Sequence, residues 1–261
     1  FSIVLSFVFS SCRKDKPATT PQEPPVEIAP AGPSSERLQE IQKLLDGRQY
    51  EAALARIDEE RKNFPEHEKL LFMRGFSLFN LQKYEDALAA FDALRQKGKS
   101  SLELTVALSE TLFSLKRFDE CEKVLREGME KFPRAAALWY SLGGIYAEKG
   151  DWEQASKMYG EALLRQADFA PALLSAGDVA YRQGDMARAR AHFEKLAGVK
   201  GHEALAHLKL AVVDMKEKKW DAARGHLDEV RSMDPQNAEL PRIESALDSA
   251  RLLDELSGHL N

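Results

Sequence analysis

From residue 34 onward, apolar residues recur with two nested periods. The finer is three or four residues, the spacing of one helix face. The coarser is 34 residues. With units counted from 34, 68, 102, 136, 170 and 204, position 17 reads Tyr50, Tyr84, Phe118, Trp152, Met186 and Trp220. Position 20 reads Ala53, Ala87, Cys121, Ala155, Ala189 and Ala223. Position 24 reads Ile57, Phe91, Leu125, Tyr159, Phe193 and Leu227, and position 8 reads Ile41, Gly75, Ser109, Gly143, Gly177 and Ala211. Aromatic residues make up 8% of the chain, so five aromatics in six occurrences of position 17 is not a chance pattern.

Apolar residues at positions 17, 20, 24 and 27 predict one helix. Those at 4, 7, 8 and 11 predict another, as in Trp139, Leu142, Gly143 and Tyr146. Short polar turns separate them, for example Lys149-Gly150-Asp151 and Gln183-Gly184-Asp185. Small residues at 8 and 20 are expected to let the two backbones approach, with the aromatic at 17 filling the gap beside them. Pro65, Pro133 and Pro235 at position 32 end the second helix, which proline cannot continue. No single helix pair can bury its own apolar face, so the units must stack. The segment 240–256 keeps a helical period through Ile243, Leu247, Ala250 and Leu253, and is expected to close the stack.

Unit 136–169 carries Trp139, Leu142, Gly143, Tyr146, Gly150, Asp151, Trp152, Ala155, Tyr159 and Ala162. This pattern resembles the tetratricopeptide repeat family, with Ala167 in place of its terminal proline. The resemblance covers 34–237. It implies an all-α fold, a right-handed α-solenoid of six helix pairs (34–67, 68–101, 102–135, 136–169, 170–203 and 204–237), with a capping helix in 238–261. In that family, positions 2, 5, 9, 12 and 13 face a concave wall where partners bind. The implied groove here includes Phe72, Phe76, Phe79, Val106, Glu110, Phe113, Tyr140, Asp178, Tyr181, Leu208, Val212 and Met215. Phe72, Phe76, Phe79 and Phe113 are expected to form one continuous aromatic patch on the side of the helix that stacking does not need. Chaperone-binding members of the family clamp a carboxylate with a Lys on this wall. Position 5 carries no Lys in any unit here, which argues against that activity.

The first residues follow another rule. Residues 1–9 read FSIVLSFVF, too short an apolar run to span a bilayer as a helix, and are followed by Ser10-Ser11-Cys12. The run fits the apolar part of a secretory signal, entered part-way because no initiator Met or basic stretch precedes it. The cysteine after two small residues resembles the lipobox of bacterial lipoproteins, although Phe9 stands where that family usually has Leu. The resemblance implies acylation of Cys12, with 1–12 as a partial signal peptide. Arg13 takes the place of the Asp that retains Gram-negative lipoproteins in the inner membrane, which implies the periplasmic face of the outer membrane. Six of the eleven prolines fall in 13–35, which has no apolar period and is expected to be a disordered tether.

Charge and chemistry narrow the function further. The net charge of −5 gives no basic face for nucleic acid. Two cysteines, Cys12 and Cys121, cannot make a disulfide framework. Cys121 occupies the small-residue slot at position 20 and reads as an inert core thiol. Gly98-Lys99-Ser100 lacks the earlier glycine of a phosphate loop, with Ala93 in its place, and reads as a turn between units. The histidines form no HExxH, and His192 and His226, both at position 23, read as surface residues. The carboxylate runs Asp58-Glu59-Glu60 and Asp119-Glu120 read as solvated faces. No enzyme, metal site or cofactor is expected, and no small-molecule substrate.

These readings point to a scaffold held to the membrane only by its lipid, with a protein or peptide of the envelope as partner. Six units on a lipid anchor resemble the pilotin-type lipoproteins that help secretins of type IV pili assemble. A self-assembling structural component, or an accessory subunit of polysaccharide export, would carry the same architecture.

Overall fold

In the computed structural model, residues 32–258 are described. They form thirteen helices in chain order. Six antiparallel pairs come first: α1 (Ser35–Asp46) with α2 (Tyr50–Arg61), α3 (Glu68–Asn80) with α4 (Tyr84–Gln96), and α5 (Leu102–Ser114) with α6 (Phe118–Lys131). Then come α7 (Ala136–Glu148) with α8 (Trp152–Arg165), α9 (Ala170–Arg182) with α10 (Met186–Ala197), and α11 (Glu203–Lys216) with α12 (Trp220–Met233). The last is α13 (Leu240–Gly258). Each second helix starts on its position-17 residue, so the 34-residue period of the sequence is also the period of the fold. The signal segment and Cys12 lie outside the described residues, as does most of the proline-rich stretch. Within that stretch Ser34 already caps α1, its hydroxyl accepting from the Arg37 N–H. No described helix is long and apolar enough to cross a membrane.

The turn inside each unit is built the same way six times. The residue at position 15 has a positive φ: Arg48 (56°), Gln82 (59°), Lys116 (58°), Gly150 (77°), Gly184 (79°) and Lys218 (58°). The next N–H then donates back to a carbonyl near the end of the first helix. Examples are Arg117 to Leu112 at 2.9 Å and Asp185 to Ala180 at 2.9 Å. This left-handed cap satisfies carbonyls that the helix end would leave without partners. Asp151 and Asp185 then cap the next helix, accepting from the Gln154 and Arg188 N–H groups.

The crossing inside each pair differs from the expectation in one respect. Position 20 is sealed as expected, at 1% exposure or less in all six units. The glycine at position 8, however, makes room for the ring at position 24. A Cβ on Gly75, Gly143 or Gly177 would lie 2.5, 2.6 or 2.3 Å from the rings of Phe91, Tyr159 and Phe193. Units with Ile41, Ser109 or Ala211 at position 8 carry Ile57, Leu125 or Leu227 opposite. Three of the position-17 rings, Tyr50, Tyr84 and Phe118, sit elsewhere, against Phe76, Phe79 and Phe113 of the first helices.

Stacking joins these pairs into one continuous body. Each helix packs on the next, and first helices also meet across units: α3 with α5, α5 with α7, α7 with α9, and α11 with α13. No pair of second helices meets to the same extent. One wall is therefore lined by first helices, as the superhelix of this repeat requires. At the C-terminal end, Leu240, Ile243 and Leu247 of α13 close over Leu208, Ala211 and Leu227.

Two charged sites break the apolar rule. Glu60, read from the sequence as solvated, is 6% exposed at core position 27. It accepts a 2.7 Å hydrogen bond from Arg37, which replaces the apolar residue usual at position 4. In the last unit Asp214 takes core position 11 and is 1% exposed. Arg190 of α10 donates to it at 2.5 Å and to Glu217 at 2.6 Å. His226, expected on the surface, is partly buried beside this group. Its Nε2 lies 3.5 Å from Asp214 and its Nδ1 lies 2.9 Å from His207 Nδ1.

Candidate functional site

The first-helix wall divides into two regions. Over units two to four it is aromatic. Phe76 of α3 is 40% exposed, with its ring edge-on to Tyr50. Phe79 and Phe113, both at position 12, lie against Tyr84 and Phe118 at 5.4 and 5.5 Å. Phe79, Phe113 and Tyr140 surround a pocket of about 260 Å³, with Glu110, Ser141 and Gly144 between them. Cys121 lies at its back, buried, donating from Sγ to the Ser109 carbonyl at 3.1 Å. Burial pushes its thiol pKa up to about 12, so it stays protonated and inert.

The four phenylalanines do not form one free patch. Phe72 tilts onto Phe91 at 5.6 Å, and Tyr140 onto Tyr159 at 5.7 Å. Both are position-5 residues, tied to the ring that the position-8 glycine admits. Phe72, Phe79, Val106 and Phe113 are partly buried against the core of units two to four. Phe76 is the large exposed apolar side chain of this wall. The wall thus shares its rings between stacking and groove, which spacing alone could not divide.

Over units five and six the wall is mixed in charge. A pocket of about 540 Å³ is lined by Asp178, Tyr181, Leu208, Lys209 and Val212, with Glu239, just before α13, and Arg242 of α13 closing one side. Lys209 donates to Asp178 at 2.8 Å. Leu208 is only 5% exposed and belongs to the core under α13, and Val212 and Met215 pack against the same cluster. The sequence reading missed Glu239 and Arg242. They fall at positions 2 and 5 of a seventh unit counted from 238, so extending the 34-residue count past 237 would have found them.

Glu110 is the one carboxylate in the aromatic pocket. Its side chain reaches water along the groove, yet the apolar walls withdraw enough solvent to raise its pKa, with no cation opposing the shift. Among the described residues no group of three or more His, Cys, Asp or Glu is placed to hold a metal ion.

Two family models, both described as tetratricopeptide repeat, match the chain. One covers 38–101 and 145–203, the other 78–139 and 180–247. No curated protein matches by sequence. Among solved structures, the PilF protein of Pseudomonas aeruginosa is similar at a TM-score of 0.64 and 15% identity, over 81% of this chain and 96% of that one. PilW, a widely conserved type IV pilus biogenesis factor, is similar at 0.68 and 21%, over 80% and 96%. Yeast Tom70 is similar at 0.65 and 19%, over 78% of this chain and 44% of that one. At these identities the likeness shows the fold alone. The 34-residue period, the six helix pairs and the matches over most of 38–247 agree: this chain belongs to the tetratricopeptide repeat family.

Proposed function

We propose that this protein is a lipid-anchored scaffold of the bacterial envelope that holds an apolar segment of a partner protein in the groove of units two to four. The observation that carries the reading is Phe76, 40% exposed and one helical turn before Phe79, which lines a pocket with Phe113 and Tyr140. An aromatic side chain left open to water beside a pocket is the usual anchor point of a partner. Placement in the envelope rests on Ser10-Ser11-Cys12 and its apolar lead. It also draws on the match in length and fold to PilF and PilW, the second named for pilus biogenesis. Assembly of a type IV pilus or of its secretin is the process this combination favours.

Two variants test the two halves of this reading. Cys12→Ser should end incorporation of labelled fatty acid while leaving the repeat domain folded. Equal labelling of the variant would remove the anchor. Phe76→Ser should melt no more than about five degrees below wild type, since losing the edge-on contact with Tyr50 costs roughly 0.5–1.5 kcal/mol. It should also lose an envelope protein that copurifies with the wild type. A fall of about ten degrees would make Phe76 a core residue and end the groove reading.

A further inference from the structure

The repeat allows the chain to be compared with itself, and one comparison singles out Glu110. Glu110 stands at position 9 of unit three, and Asp178 stands at position 9 of unit five. Asp178 is satisfied from the next unit, where Lys209 at position 6 donates to both its oxygens, at 2.8 and 3.1 Å. The residue at position 6 of the unit following Glu110 is Ser141, and it lines the same pocket as Glu110. The place that holds the internal counter-ion in one half of the groove is therefore uncharged in the other. Glu110 stands with Phe79, Phe113 and Tyr140 around the pocket, and among the described residues it has no ion pair. An exposed carboxylate beside apolar rings, with no internal counter-ion, is open to pair with a cation brought by a ligand. Aromatic faces next to an acid are a favourable setting for an ammonium or guanidinium group.

We infer that the segment bound in this groove carries a lysine or arginine within its apolar run, and that Glu110 receives it in the position Lys209 occupies toward Asp178. This rests on the groove reading above and adds its charge specificity. The apolar flanks of the segment would cover Phe76 and Phe113, while its cation completes the pair that Ser141 leaves open.

The test uses the full chain and short synthetic peptides rich in Leu and Phe, identical except for a central Lys, Arg, norleucine or Glu. Affinity is read by fluorescence anisotropy. The Lys and Arg peptides should bind about tenfold or more tightly than the norleucine peptide, the range of a close charge pair at an interface. Glu110→Gln should remove that preference while the norleucine peptide binds as before. Ser141→Lys should remove it as well, by supplying the counter-ion from within. If the norleucine peptide binds wild type as tightly as the Lys peptide, or if the preference survives Glu110→Gln, this inference is wrong and the groove stands. If none of the peptides binds, the groove reading fails and this inference with it.

Discussion

Gly177 and Phe193 show at the scale of single residues how the repeat sets its helix spacing. A helical Gly→Ala change ordinarily gains roughly 0.5–1 kcal/mol. Here the new Cβ would meet the Phe193 ring at 2.3 Å. Overpacking costs about 1–3 kcal/mol, so the clash should win and Gly177→Ala should lower the urea midpoint. Adding Phe193→Leu copies the Ala211 and Leu227 pairing of unit six and should recover most of the loss; an additive double variant would refute the pairing. Lys116 makes the opposite case. Its φ of 58° is left-handed, costing an L-residue about 1–2 kcal/mol. Lys116→Gly, the residue at Gly150 and Gly184, should raise the melting temperature by a few degrees. The sequence showed glycine in these turns, and it showed the small residues at position 8. It did not show which ring each small residue served. That depends on how far apart the two helices lie, and a period along one chain does not carry that distance.

Among the elements, α10, α11 and α12 meet around the most unusual interior group of the molecule. Position 11 is Leu44, Leu78, Leu112, Tyr146 and Ala180 in the first five units and Asp214 in the sixth. That exception was legible in the sequence, since a carboxylate at a core position needs a partner. Its partners were not: Arg190 belongs to the preceding unit and His226 to the following helix. The burial of His226 lowers its pKa, and so does the burial of His192 in α10; Asp214 pulls His226 the other way and His207 and Arg190 reinforce the lowering. A histidine with a depressed pKa contributes stability that is complete above the unfolded value of about 6.5 and is lost as the pH falls below it. The melting temperature should therefore drop between pH 7 and 5, and His226→Gln should make that drop shallower. A pH profile unchanged by His226→Gln would show that the burial of this ring carries no linkage.

For the molecule as a whole, stability is local because each unit touches only its neighbours. Ending the chain at Asn237 removes Leu240, Ile243 and Leu247 from the cluster over units six and α13. Each such side chain contributes roughly 1.5–3 kcal/mol on burial. Amide exchange should quicken in α11 and α12 while α3 to α8 stay protected; uniform quickening along the chain would instead mean one all-or-none unit. The solenoid itself was the most legible feature of this sequence, because 34-residue periodicity is a global property written at every unit. The groove was less so. Positions 5, 9 and 12 all face the same wall, but Phe72 is held by Phe91 and Leu208 by α13, whereas Phe76 is open.

Site-specific crosslinking shows whether the aromatic wall of units two to four receives a partner. A photoreactive phenylalanine analogue would replace Phe76 in one strain and Leu164 of α8 in another, both in the full chain in intact cells. Leu164 is the more exposed of the two, 81% against 40%, so random collisions would favour it. Position 76 should give a discrete adduct and position 164 none. Equal adducts from both positions, or none from position 76, would contradict the groove reading.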